Sequence, residues 1–173
     1  MANEQGQPAG ADQDFRDAMR RLAGSVTVVT VDLGGDERHG TTATAVTSLS
    51  MEPPSLLVCF NRDSRLHGML GAADRFCVNL LHIDNVEVAS LFSSPVSSAE
   101  RFAGGKWRTP KGGAPALADA QSSIQCVKVQ QIDYGSHSIF IGRVLSVANR
   151  AAIEPLVYCN GGYASAQPLP AKS

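Results

Sequence analysis

The chain has 173 residues, 43% hydrophobic and 18% charged, which is the size and make-up of one ordinary domain able to bury a core. Its formal net charge is -1, its pI is near 6.4 and it has no Lys/Arg run, so the basic footprint that a nucleic-acid partner needs is missing. No apolar run approaches the roughly 20 residues that cross a bilayer.

Residues 1–12 are rich in Gln, Ala and Gly and lack the basic start and apolar stretch of a signal peptide. A cytoplasmic protein is expected, with a flexible tail at 1–12, one domain over 13–166 and a second tail at 167–173. Cys59, Cys77, Cys126 and Cys159 are far apart, sit among strand-like neighbours and form no CxxC pair. They read as small buried hydrophobes in a reducing compartment.

Phe15, Met19 and Leu22 fall at i, i+4 and i+7 and make one apolar stripe of a helix that Gly24 ends. Ser25 to Val31 is rich in β-branched residues and reads as a strand closed by the turn Gly34-Gly35-Asp36. Further strands are expected at Thr41 to Ser50, Ser55 to Asn61, Arg75 to Leu81, Ser122 to Ile132, His137 to Ala148 and Leu156 to Cys159. Short helices are expected at Ser64 to Leu70 and Asn85 to Phe92. Many strands joined by short turns, without β-α alternation, point to a barrel with peripheral helices. The segment Ser93 to Pro115 is the least regular, with a possible helical turn at Ser98 to Phe102, and has the length of a lid or mobile loop.

Gly40 to Ser50 carries six hydroxyl side chains in eleven positions, interleaved with small residues. Such a surface suits a ligand held by hydroxyls and backbone N–H groups instead of Lys or Arg, although a Thr-rich strand needs no ligand to explain it. The apolar run Leu56 to Phe60 ends in the polar turn Asn61-Arg62-Asp63-Ser64, which caps a helix. Two polar loops could then grip one ligand. No GxGxxG follows a strand, which disfavours a Rossmann-type site.

The ordered set Phe15 to Met19, Val26 to Thr30, Gly40-x-Thr42-Ala43-Thr44-Ala45, Ser48-x-Ser50, Pro53-Pro54, Leu57 to Cys59, Asn61, Ser64, Phe76 to Asn79, Glu100-Arg101-Phe102, Trp107, Gly135-x-His137 and Pro155-Leu156-x-Tyr158 resembles the short-chain flavin reductases. These are the reductase components of two-component flavin monooxygenases, and the resemblance spans roughly residues 14–166. It implies a mainly β, Greek-key-like split β-barrel of the FMN-binding type, a homodimer, and a dissociable FMN or FAD reduced by NADH or NADPH for a large monooxygenase partner. It places Thr42, Ala43, Thr44 and Ala45 along the isoalloxazine and ribityl chain, and Ser48, Ser50, Asn61 and Ser64 near the phosphate. Members often carry Asn at the position of Thr44, and Asp at that of Ser136. His137, after Gly135-Ser136, is implied to lie near the nicotinamide and flavin rings, although a lone His at a strand start is more often a structural hydrogen-bonder.

Phe102 and Tyr163 could stack on a ring, though such aromatics more often pack in a core. Arg101, Arg108 and Lys111 are candidates for a 2′-phosphate. The histidines His67, His82 and His137 show no ligand spacing, so no metal is expected, and no GxSxG nucleophile is present. Hydride transfer needs neither, because the flavin carries the electron chemistry. A non-catalytic flavin- or haem-binding carrier would share the fold, and fold alone does not decide function.

Overall fold

A computed structural model describes residues 11–35 and 37–169. Most of the expected tail segments, and Asp36 of the expected turn, lie outside the described residues. The elements in chain order are α1 (Ala11–Met19), β1 (Gly24–Ser25), β2 (Thr27–Asp32), β3 (Arg38–Ala43), β4 (Val46–Met51), β5 (Pro54–Asn61), α2 (Arg65–Ala72), β6 (Arg75–Leu80), a 3-10 turn (Ile83–Asn85), α3 (Val86–Ser93), α4 (Ser98–Ala103), β7 (Trp107–Arg108), β8 (Ala116–Leu117), β9 (Ser122–Tyr134), β10 (His137–Asn149), β11 (Leu156–Cys159) and β12 (Gly162–Ser165). Among the described residues no helix is long and apolar enough to cross a membrane.

Seven strands form one antiparallel sheet in the order β3-β2-β6-β9-β10-β5-β4. The outermost strands β3 and β4 are consecutive in the chain and separated only by Thr44-Ala45. A single peptide stretch therefore joins both edges of the sheet, which makes the sheet curl on itself as a split barrel. The expected single strand Thr41 to Ser50 is accordingly two strands. Its break is marked by the Val46 N–H donating to the Thr44 carbonyl at 2.9 Å and the Cys59 N–H to the Ala45 carbonyl at 3.0 Å.

The barrel interior is filled by Val29, Val31, Val58, Phe60, Phe76, Val78 and Phe140, and Leu66 and Leu70 of α2 plug one end. A second core lies outside the barrel wall. There Val26, Val28 and Leu81 pack against Val88 and Phe92 of α3, Phe102 of α4, and Leu117. Strand β2 is buried on both faces, which explains its near-continuous run of β-branched residues. Its threonines stay satisfied because the Thr27 hydroxyl donates to the Ala43 carbonyl (2.7 Å) and the Thr30 hydroxyl to the Pro115 carbonyl (2.6 Å).

The segment Ser93 to Pro115 is not a loose lid. Ser97 and Glu100 form a reciprocal capping box on α4, and the rings of Phe92, Phe102 and Trp107 meet at centroid distances of 5.0 to 5.2 Å. Buried Asn79 ties down the stretch from β8 to the start of β9: its Oδ1 accepts from the Leu117 N–H and the Ser123 hydroxyl, both at 2.8 Å. This polar side chain, buried among apolar neighbours on the strand, is thus an anchor for the chain that leaves the segment.

The α1 helix stops at Met19, so Leu22 is outside it, and Gly24 opens β1 instead of ending the helix. The helix buries none of its residues, and it begins at Ala11, inside the segment expected to be a tail.

Candidate functional site

The open edge of β3 governs the site. Along this strand the Arg38 carbonyl accepts from the Ser98 hydroxyl (2.5 Å), and the Gly40 carbonyl from Arg101 Nη1 (2.8 Å). Helix α4 thereby covers the first half of an edge strand that would otherwise expose unpaired backbone groups. Alternate residues of a strand direct their backbone groups to the same side, so those of Thr42 face the same edge, beyond the reach of α4. There the chain opens into a cleft of about 480 Å³, within the size range of small-molecule sites.

The cleft is lined by Thr42, Ala43, Thr44 and Ala45 on one side and by Cys59, Phe60 and Asn61 of β5 on another. Ser93 lies at the end of α3, and Tyr158, Gly161, Gly162 and Tyr163 of the β11–β12 hairpin form the remaining wall. The Tyr158 and Tyr163 rings meet edge-on at 5.8 Å. The lining holds hydroxyls, small side chains, backbone and aromatic rings but no carboxylate, imidazole or cation. This donor set fits a flat, uncharged heteroaromatic ring held by hydrogen bonds and stacking, as a flavin ring is.

The structure brings together six of the residues named from the sequence, Thr42, Ala43, Thr44, Ala45, Asn61 and Tyr163. The Asn61 Oδ1 accepts from the Asp63 N–H at 2.8 Å, which shapes the turn before α2. Ser64 caps that helix, its hydroxyl accepting from the His67 N–H (3.2 Å) and donating to the Asn61 carbonyl (2.7 Å). Ser48 and Ser50 lie on β4 and do not line the cleft. The Ser50 hydroxyl closes a local turn with Glu52. Phe102 is buried in the second core with Arg38 over its ring at 4.6 Å, so packing has claimed it.

His137 is exposed at the start of β10, directly opposite Asn61 in the β5–β10 ladder. Paired residues of a ladder share a face, so His137 stands on the rim beside Asn61. The turn before it has Gly135 at φ 56°, the first central position of a two-residue hairpin loop where a left-handed conformation is required. The Ser136 hydroxyl lies 2.9 Å from His137 Nδ1. Arg101, one 2′-phosphate candidate, is committed to the Gly40 and Ser94 carbonyls (2.8 and 2.7 Å). Among the described residues no three His, Cys, Asp or Glu side chains converge as metal ligands.

Sequence reasoning missed Val26, Cys59, Phe60, Ser93, Tyr158, Gly161 and Gly162 as lining residues. The hairpin wall had a readable signal. Asn160-Gly161, with φ of 51° and 82°, is the Asn-Gly pair that favours a two-residue hairpin turn between the halves of a strand pair.

Residues 19–167 match the sequence profile of a family described as "Flavin reductase like domain". The chain is 44% identical over 162 residues to the reductase component of an FADH(2)-dependent resorcinol hydroxylase from Rhizobium sp., covering 93% of this chain and 90% of the relative. It is 40% identical over 151 residues to the FMN reductase (NADH) RutF of Stutzerimonas stutzeri, covering 87% and 86%. A solved NADH:FAD oxidoreductase of Streptomyces globisporus, in complex with NAD and FAD fragments, superposes with a TM-score of 0.84 at 29% identity, over 93% of this chain and 96% of the other.

Proposed function

The chain belongs to the flavin reductase-like domain family, and we propose that it is an NADH-dependent flavin reductase that supplies reduced FMN or FAD to a partner hydroxylase or monooxygenase. The observation that carries this reading is the cleft at the free edge of β3, lined by Thr42 to Ala45 and Asn61 without a charged side chain. When bound there, the flavin would supply the hydride-accepting chemistry.

The chain's own residues bind and orient. The free backbone groups of Thr42 and the hydroxyl of Thr44 address the polar rim of a ring, while Tyr158 and Tyr163 and the small side chains of Ala43 and Ala45 give it apolar surface. The Asn61 amide N–H₂, free of the turn that occupies its Oδ1, donates toward the ligand. His137, paired with Asn61 on the adjoining rim position, would face the nicotinamide and fix its approach. Ser48, Ser50 and Ser64 are assigned a structural part instead, since they lie off the cleft or bond within the chain. A site lacking cationic clamps holds its flavin moderately, as a dissociable substrate requires.

A homodimer in the cytoplasm completes the proposal. It is supported by the exposed apolar side chains Leu49, Met51, Val129, Leu145 and Val147, all on the β4-β5-β10-β9 half of the sheet. Sedimentation of the purified chain tests the dimer. Oxidation of NADH on addition of FMN or FAD tests the activity, and flavin binding without turnover would favour a carrier.

A further inference from the structure

His137 and Ser138 are neighbours on β10 and therefore point to opposite faces of the sheet. His137 is exposed on the outer face, whereas Ser138 is fully buried beneath it. The buried hydroxyl is the middle of a three-residue chain that joins three elements. Ser138 Oγ lies 2.6 Å from Asp133 Oδ1 on β9 and 2.7 Å from His67 Nε2 on α2.

The protons in this chain have one consistent arrangement. The Asp133 carboxyl is held below its ordinary range, first by the Ser138 hydrogen bond and then by that of Gln131, so it is an acceptor only. The single Ser138 proton goes to Asp133, and the Ser138 oxygen must then accept from His67. His67 therefore carries its proton on Nε2, with its ring edge-on to Phe140 at 5.2 Å. Each link is short and directional, and its far end rests on a helix whose N-cap, Ser64, bonds back to Asn61 of the cleft. On the opposite side of the turn, the Arg62 N–H donates to the Ser136 carbonyl at 2.9 Å.

We infer that His67 is a positioning residue for His137, acting through Ser138 and Asp133 to lock the β9–β10 turn against α2. The inference rests on the reading of His137 as the nicotinamide-facing group. It assigns work to a histidine that lies outside the cleft lining.

The test combines single-turnover reduction of bound flavin by NADH with histidine-selective NMR on the full chain. His67→Leu removes the donor and is expected to slow flavin reduction about tenfold while flavin affinity changes less than twofold. His67→Gln keeps an N–H near the position of Nε2 and is expected to restore most of the rate. In a His137→Ala background His67→Leu should add no further loss, because the two act as one unit.

An equal loss in both backgrounds, or a His67→Gln variant as slow as His67→Leu at unchanged melting temperature, overturns the inference. Where His67→Leu does not fold, Ser138→Ala cuts the same link with little change of volume. The NMR arm stands without turnover. Displaced His137 ring resonances in Ser138→Ala support the link, and unmoved ones overturn it. Should His137→Ala alone leave the reduction rate unchanged, the reading of His137 fails separately from the positional link.

Discussion

Asn61 and His137 stand directly opposite each other where β5 meets β10, and their side chains share the outer face of the sheet. Asn61 lines the cleft and His137 does not, so the pair marks the boundary of the cleft on this side. Both residues are set by turns. Asn61 begins the turn that caps α2, and His137 comes directly after the Gly135-Ser136 hairpin turn. Two adjacent residues are thus positioned by separate loops.

The two functions of the Asn61 side chain can be separated. Asn61→Asp keeps an oxygen for the Asp63 N–H but removes the free N–H₂ and adds a negative charge. Flavin affinity should fall by about tenfold, in line with loss of one hydrogen bond to the ligand, with the melting temperature nearly unchanged. Fluorescence titration of FMN and thermal unfolding measure the two effects.

His39 gives the fold an acid-sensitive limb. Burial, then the Arg101 and Arg65 charges, lower its pKa from 6.5 to about 4, so the folded state holds it neutral. The unfolded chain protonates it near 6.5. Its contribution is present above that value and is lost as the pH falls toward about 4, with a ceiling of about 3 kcal/mol at roughly 1.4 kcal/mol per pH unit. Denaturant unfolding between pH 7 and 4 should show this loss, and His39→Gln should flatten it.

Much of the fold was legible in the chain. The long amphipathic or β-branched runs that became β2, β5, β6, β9 and β10 were readable because strand burial writes itself into composition. The Thr-rich stretch was legible as strand but not as a corner. Its break at Thr44-Ala45 arises because β3 and β4 pair with different strands at opposite sheet edges, a tertiary demand with no local signature. Phe102 was misplaced for the same reason: its neighbours Phe92 and Trp107 lie ten and five residues away, and only folding brings the three rings together. Tyr158 and Tyr163 could have been paired through Asn160-Gly161, whose turn preference is local.

Gly142 is held by crowding. A Cβ there would overlap the Phe76 ring, with Cε1 at 2.8 Å, and lie 2.9 Å from the Cys126 Cβ. Phe76 and Cys126 are wholly buried and cannot yield toward solvent. Gly142→Ala should therefore destabilise the fold by about 1–3 kcal/mol, or several degrees of melting temperature, read by calorimetry.

Arg101 closes the edge of β3 beside the cleft. Arg101→Met keeps much of the stem but leaves the Gly40 and Ser94 carbonyls without their donors. A loss of about 2 kcal/mol is expected, and hydrogen exchange at the covered end of β3 should accelerate more than in β10.

The central claim, that this cleft reduces flavin at the expense of NADH, is tested most directly by following absorbance at 340 nm with purified protein, NADH and added FMN or FAD. The expected result is NADH oxidation that depends on added flavin and falls when Thr44 is replaced by a bulky side chain that fills the cleft. Flavin that binds without any NADH oxidation, or oxidation unaffected by filling the cleft, would contradict it.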